Sequence, residues 1–221
     1  MVEAGNETKS FRADCILCAV GRRANTDDLN AEKVGIKTEK GRILVNEYLE
    51  TDVPGVYAIG DCIGGIMLAH TASAEGECAA ENALSEKKMY SSLAVPSCVY
   101  CSPELASVGM TEEEAKNKEI SYHVGRFPLG ANGRAIIAGE GKGMVKVILG
   151  DELDEILGLH IVGPYATELI MEGSLAISLE ATSAEIIETI HAHPTVSEAL
   201  REAVLAAEGR ALHIPNKGKK G

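Results

Sequence analysis

Six residues, His193-Pro194-Thr195-Val196-Ser197-Glu198, hold the pair best suited to acid–base chemistry. An imidazole at a helix entrance with a carboxylate one turn inside can shuttle a proton near neutral pH, because the carboxylate fixes the ring's tautomer and orientation. The same residues also read as a purely structural device. Thr195-x-x-Glu198 is a capping box, in which Glu198 returns to the Thr195 amide while Pro194 sets the entry of the chain. On spacing alone the structural reading is the stronger.

Other candidates are scattered more widely. Asp61 closes the apolar run Gly55 to Gly60, and a carboxylate at the C-terminal end of a strand faces the crevice where α/β proteins bind ligands; the alternative is a turn or N-cap aspartate. Met67, Leu68 and Ala69 precede a helix expected from about His70 to Lys87, so their amides lie at the positive end of its dipole, unless they are only an apolar connection. Gly21 ends an apolar run and reads as a turn. Cys15/Cys18 and Cys98/Cys101 are Cys-x-x-Cys pairs that on paper could bind zinc through four thiolates. Their separation is far longer than a zinc ribbon uses, and the run Asp14 to Val20 instead predicts a buried strand in which cysteine serves as a small hydrophobe. No metal site is expected.

Composition bounds the rest. The 221 residues are 45% hydrophobic and 24% charged, with a formal net charge of -12, which disfavours a nucleic-acid surface. No run reaches the roughly 18 apolar residues that a membrane helix requires. Neither a membrane nor a nucleic acid is expected as partner, and six cysteines without a signal peptide predict a cytoplasmic location. The basic cluster Lys217 to Lys220 reads as a disordered tail.

Three strands are expected at Ala94–Tyr100, Ala106–Gly109 and Ile120–Phe127. Alternation over Met144–Leu149 and the run Ile156–Val162 predict an antiparallel pair joined by the turn 150–154. Capping boxes at Thr111/Glu114, Thr182/Glu185 and Thr195/Glu198 open three helices. The last of them carries a stripe of Val196, Ala199, Leu200, Ala203, Val204 and Ala207 and ends at Gly209. A further helix, Glu168–Leu179, has small residues at Gly173 and Ala176 suited to packing against a second helix or a second subunit. Nearer the N-terminus two strands, the second ending at Gly21, a hairpin around Ile43–Val45 and a strand at Gly55–Gly60 complete the reading.

Residues 190–199, Ile-His-Ala-His-Pro-Thr-Val-Ser-Glu-Ala, resemble the C-terminal signature of the flavin disulfide reductases, and the doubled His191 and His193 resemble most the dihydrolipoamide dehydrogenases. Thr51 to Asp61 resembles the second flavin-binding segment of that superfamily, Met67-Leu68-Ala69-His70 its form in lipoamide dehydrogenases, and Val20 to Thr26 the exit of the nicotinamide domain, with Ala24 where proline is usual. The resemblance implies an α+β fold: a C-terminal dimerisation domain of antiparallel sheet and flanking helices, preceded by remnants of the NAD and FAD domains. The implied division is 1–26 for the NAD-domain remnant, 27–92 for the segment completing the FAD domain, 93–214 for the interface domain and 215–221 for the tail.

The implied activity is oxidation of dihydrolipoamide through a redox disulfide and FAD, with NAD as acceptor. His193 and Glu198 would be the acid–base pair, Asp61 would hold the ribityl chain of FAD, Met67 to Ala69 would underlie the flavin edge, and Gly21 would lie close to NAD. His191 reads as structural and His70 is unassigned. No Gly-x-Gly-x-x-Gly follows a strand, and no two cysteines are separated by four residues. The chain is therefore expected to be the C-terminal part of such an enzyme, inactive alone and retaining neither FAD nor NAD. Its expected partners are a second copy through residues 93–214 and lipoyl domains of 2-oxo acid dehydrogenase or glycine cleavage complexes. Two other readings remain: a dimerisation module without chemistry, or part of a relative such as glutathione or mercuric reductase, against which Met67 to His70 and His191 to His193 argue.

Overall fold

The computed structural model describes residues 2–4, 7–84 and 87–216. The Lys217–Lys220 tail lies outside the described residues. The chain divides into two compact units, residues 1–90 and 91–221.

The first unit has little regular structure. Strands β1 (Val2–Ala4) and β2 (Glu7–Lys9) pair as an antiparallel hairpin, as do β3 (Thr38–Glu39) and β4 (Arg42–Ile43). The strand expected over residues 14–20 is absent. That segment has no ladder partner among the described residues, and Ile16, Leu17 and Val20 are each more than 90% exposed, with Cys15 and Cys18 exposed beside them. An apolar run becomes a buried strand only when neighbouring strands take its amides and other layers cover its faces, and neither is present. The strand expected at Gly55–Gly60 is reduced to a single bridge, Glu50 with Tyr57, leading into a 3₁₀ turn at Gly60–Ile63. Helix α1 (Ala69–Leu84) packs against that turn. Its buried Glu75 accepts the Gly60 amide at 2.7 Å, and Asn82 bonds the carbonyls of Tyr48 and Lys88.

The second unit is built around one five-stranded antiparallel sheet in the order β5-β6-β9-β8-β7, comprising β5 (Ser97–Val99), β6 (Glu104–Gly109), β7 (Tyr122–Pro128), β8 (Met144–Gly150) and β9 (Ile156–Gly163). All five lie within or beside the expected strand segments. Helix α2 (Glu112–Asn117) opens with the Thr111/Glu114 capping box and joins β6 to β7, while α3 (Gly133–Ile137) is capped by Asn132. Helix α4 (Ala166–Ser178) lies on β6 and β9, α5 (Ser183–Glu188) opens at the Thr182/Glu185 box, and α6 (Glu198–Ala207) lies on β7 and β8.

Two helix faces pack within the unit itself. The α6 stripe is buried in the unit's own core, with Ala199, Ala203 and Val204 wholly covered beside Val145, Val147 and Phe127. The small-residue face of α4 is likewise used internally: a Cβ on Gly173 would stand 2.5 Å from the Leu159 side chain. What α4 leaves exposed is its other face, Met171, Leu175 and Leu179. Gly125 plays the matching part under α6, where an added Cβ would stand 1.9 Å from the Ala203 carbonyl oxygen.

Candidate active site

The loop between α5 and α6, residues 189–197, is held at several points. Glu198, the first residue of α6, divides its carboxylate between two tasks. Oε1 lies 2.9 Å from Nδ1 of His193, and Oε2 accepts the Thr195 amide at 2.8 Å. One side chain therefore makes both contacts that this spacing allows, to the imidazole and to the backbone amide. The capping box is only half formed, because the Thr195 hydroxyl turns away to the Ala192 carbonyl and to the Ser197 hydroxyl. Consequently α6 begins at Glu198 with Ser197 at its N-cap, later than expected.

Glu198's protonation follows from this geometry. Burial by itself pushes its carboxyl upward, but the Thr195 amide, the His193 ring and the charges of His193 and His213 together bring it below the ordinary carboxylate range. An ionised Glu198 accepts only, so the neutral His193 ring must place its proton on Nδ1 and keep the Nε2 lone pair outward. The His193 side chain is 77% exposed. Its open nitrogen is thus available to an incoming group, while the other is fixed.

His191 is the reverse case. Its side chain is 5% exposed, with Nδ1 3.0 Å from the Thr189 carbonyl and Nε2 2.8 Å from Glu172 Oε1. A carbonyl and a carboxylate are both acceptors, so both nitrogens are satisfied only as donors, in the imidazolium form. The Glu172 hydrogen bond raises the ring above the ordinary histidine range against the opposing effect of burial. His191 lies in the loop that follows α5 and tethers it to the middle of α4.

Sequence reasoning missed the other supports. Asn132 caps α3 with its carbonyl oxygen and donates its amide to the Thr195 carbonyl at 3.0 Å. Arg201 Nε donates to the Ile187 carbonyl at 2.9 Å. Asn132 read alone signals only a helix start, and Glu172 only a polar residue in an apolar helix; neither carries a mark of its partner 63 or 19 residues away. A cleft of about 240 Å³ runs beside the loop, lined by Thr189, His191, Glu198, Arg201, Glu202 and His213. His193 projects outside that lining.

In the first unit, Arg22 connects the remaining predicted positions. Its guanidinium lies 3.6 Å from Asp61 Oδ2 and donates to the Met67 carbonyl at 3.4 Å. Asp61 sits half exposed in the 3₁₀ turn. The Leu68 amide is turned to the Ile66 carbonyl at 3.0 Å, so of the three expected amides this one is already engaged. Ala69 is the first residue of α1, where an amide has no acceptor within its own helix. Gly21 adopts φ +98° with open space around it, so a backbone conformation, not a close approach by another group of this chain, calls for glycine there.

Comparison with known proteins adds the family. Residues 95–204 match the pyridine nucleotide-disulphide oxidoreductase dimerisation domain, and residues 2–76 match the pyridine nucleotide-disulphide oxidoreductase domain. The chain is 46% identical over 214 residues to a dihydrolipoyl dehydrogenase of Bacillus subtilis, covering 96% of this chain and 45% of that enzyme. It is 46% identical over 212 residues to the mitochondrial dihydrolipoyl dehydrogenase of Pisum sativum, covering 96% and 42%. The chain therefore spans less than half the length of these relatives. Among solved structures, LpdA of Mycobacterium tuberculosis superposes with a TM-score of 0.77 at 29% identity over 82% of this chain and 40% of that one. Among the described residues no helix is long and apolar enough to cross a membrane.

Proposed function

Because the chain belongs to the pyridine nucleotide-disulphide oxidoreductase family, we propose that it supplies the acid–base half of a dihydrolipoyl dehydrogenase site, with His193 moving the proton and Glu198 orienting it. The observation that carries this reading is the divided Glu198 carboxylate, which presents an exposed, single-tautomer imidazole on a loop anchored to α3, α4 and α6. His193 Nε2 takes the proton of a dihydrolipoamide thiol, leaving the thiolate that attacks a disulfide sulfur. Glu198 remains ionised throughout and stabilises the imidazolium that forms.

FAD and NAD belong to this reading as cofactors of the whole enzyme. The Asp61 carboxylate, half exposed with Arg22 at 3.6 Å, fits as an acceptor for a polyol hydroxyl, and the Ala69 amide fits a negatively polarised ring edge. The Leu68 amide as placed does not fit, and Gly21 offers only its backbone conformation to NAD. Bound flavin would carry the electron pair from the reduced disulfide to NAD. The chain's own residues would hold the cofactor and move the proton.

The disulfide would come from a second copy, docked through the apolar face of α4 formed by Met171, Leu175 and Leu179; the dimerisation-domain match supports the pairing. Lipoyl domains of 2-oxo acid dehydrogenase or glycine cleavage complexes would present the substrate, and the location would be cytoplasmic. The test is His193→Gln in the complete enzyme. Lipoamide turnover should fall by roughly 100-fold or more with flavin content unchanged; near-normal turnover would remove the assignment.

A further inference from the structure

A second cluster of chemistry-bearing groups lies elsewhere in the second unit, and it does not depend on the reading above. His123 on β7, Asp151 and Asp154 in the turn between β8 and β9, and Glu208 at the C-cap of α6 converge on one spot. His123 Nδ1 lies 2.8 Å from Asp151 Oδ1, whose other oxygen accepts the Ser121 hydroxyl. A carboxylate that accepts the Ser121 hydroxyl meets Nδ1 as an acceptor too, so Nδ1 is the donor, and in the neutral ring Nε2 is left with a lone pair.

That lone pair faces Asp154 Oδ1 at 4.0 Å and Glu208 Oε1 at 3.8 Å. The three atoms lie within 4.8 Å of one another. They are too far apart to hydrogen-bond and a little wider than the separation of about 3.3 Å between two ligands of a tetrahedral zinc ion. An independent observation points the same way. Glu208 Oε1 is closed off from solvent and has no hydrogen-bond partner among the described residues, although a solvent-excluded carboxylate oxygen is costly unless something positive meets it. Its position sharpens the cost, because Glu208 follows the last turn of α6, where the helix dipole already disfavours negative charge. Three electron-pair donors gathered within 4.8 Å of one another at the negative end of a helix make a site for a cation, not for an anion or a neutral ligand.

We propose that His123 Nε2, Asp154 and Glu208 bind a divalent transition-metal ion of the zinc type, with Asp151 as the carboxylate that fixes the ring from behind. One imidazole and two carboxylates suit Zn²⁺ better than Ca²⁺, which takes oxygen ligands alone in greater number. Three protein ligands at a half-exposed position leave a coordination place for water. The site would join β7, the β8–β9 turn and the end of α6, fastening the helix that begins with Glu198.

The test is titration of the full chain with ZnCl₂ while following the ring resonances of all six histidines. His123 should move and saturate with one equivalent beyond the zinc that the free thiols take, and Glu208→Gln and Asp154→Asn should each weaken that response by roughly tenfold or more. Zinc captured by the free thiols would leave the His123 ring unmoved, so the two destinations are distinguishable. An unresponsive His123 in excess zinc, or undiminished affinity in both variants, would overturn the proposal.

Discussion

Replacing Glu198 by Gln separates its two tasks, because the amide keeps one acceptor oxygen and loses the other. In Glu198→Gln the remaining oxygen can still take the Thr195 amide, now made at 2.8 Å by Oε2, so the start of α6 survives. The amide NH₂ then stands where Oε1 met His193 Nδ1 at 2.9 Å. A donor there demands an acceptor at Nδ1, which moves the ring proton to Nε2, the nitrogen that must be free for catalysis. Stability should change little, since the bond to a ring 77% exposed contributes at most about 1 kcal/mol. Turnover of the complete enzyme should fall by roughly 100-fold or more. Glu198→Ala removes both acceptors and should cost about 1–2 kcal/mol of stability in addition, the usual effect of losing a helix-start contact. Long-range ¹H–¹⁵N spectra of the neutral ring report the tautomer, and urea unfolding reports the stability. If Glu198→Gln keeps the proton on Nδ1, or keeps turnover while losing as much stability as Glu198→Ala, then Glu198 is a helix-capping residue and the positioning argument fails.

Two further outcomes follow from the same unit. His191 binds its proton more tightly folded than unfolded, so the contribution of the Glu172 pair is complete below the ordinary imidazole range and is lost as pH rises through the raised native value. Glu172→Gln should therefore cost on the order of 2 kcal/mol at pH 5.5 and distinctly less at pH 9, measured by urea unfolding; an equal loss at both would show that the ring is not held as a cation. Gly125→Ala sets a methyl 1.9 Å from the Ala203 carbonyl oxygen, so α6 must retreat by roughly 1.5 Å to restore ordinary contact. A loss of about 3 kcal/mol is expected from such overpacking, together with a shift of the His193 ring resonances; unchanged stability would mean that the sheet and helix are not closely apposed.

What the sequence made legible was local. The alternation in Met144–Leu149 and the run Ile156–Val162 gave the central antiparallel pair because each pattern reports directly which face is buried. The capping boxes at Thr111 and Thr182 specified helix starts within a single turn of chain. The apolar run at residues 14–20 misled for the complementary reason: hydrophobicity records what a segment can bury against, not whether that layer is present in the chain, and here its residues stand exposed. The α6 stripe and Gly173 posed the same ambiguity, since a face built for close packing looks alike whether its partner is the chain's own sheet or another subunit. The sheet covers both faces here, and the candidate interface passes to Met171, Leu175 and Leu179.

The site was legible only as a pair. His193 and Glu198 lie five residues apart, within reach of a motif, but the groups that fix their loop come from α3, α4 and the far side of α6. The His123 cluster shows the limit more sharply, because β7, the β8–β9 turn and the end of α6 contribute residues 123, 154 and 208, at intervals that match no metal-binding signature. Strand register decides both cases. Tyr122 lies opposite Gly150, at the end of β8 where the chain turns toward Asp151 and Asp154, so a one-residue slip of β7 would carry His123 to the opposite face of the sheet and dissolve the cluster. The same slip would remove Gly125 from beneath α6 and displace the helix that begins with Glu198. The proposed acid–base pair and the proposed cation site thus depend on one register, which no short motif encodes.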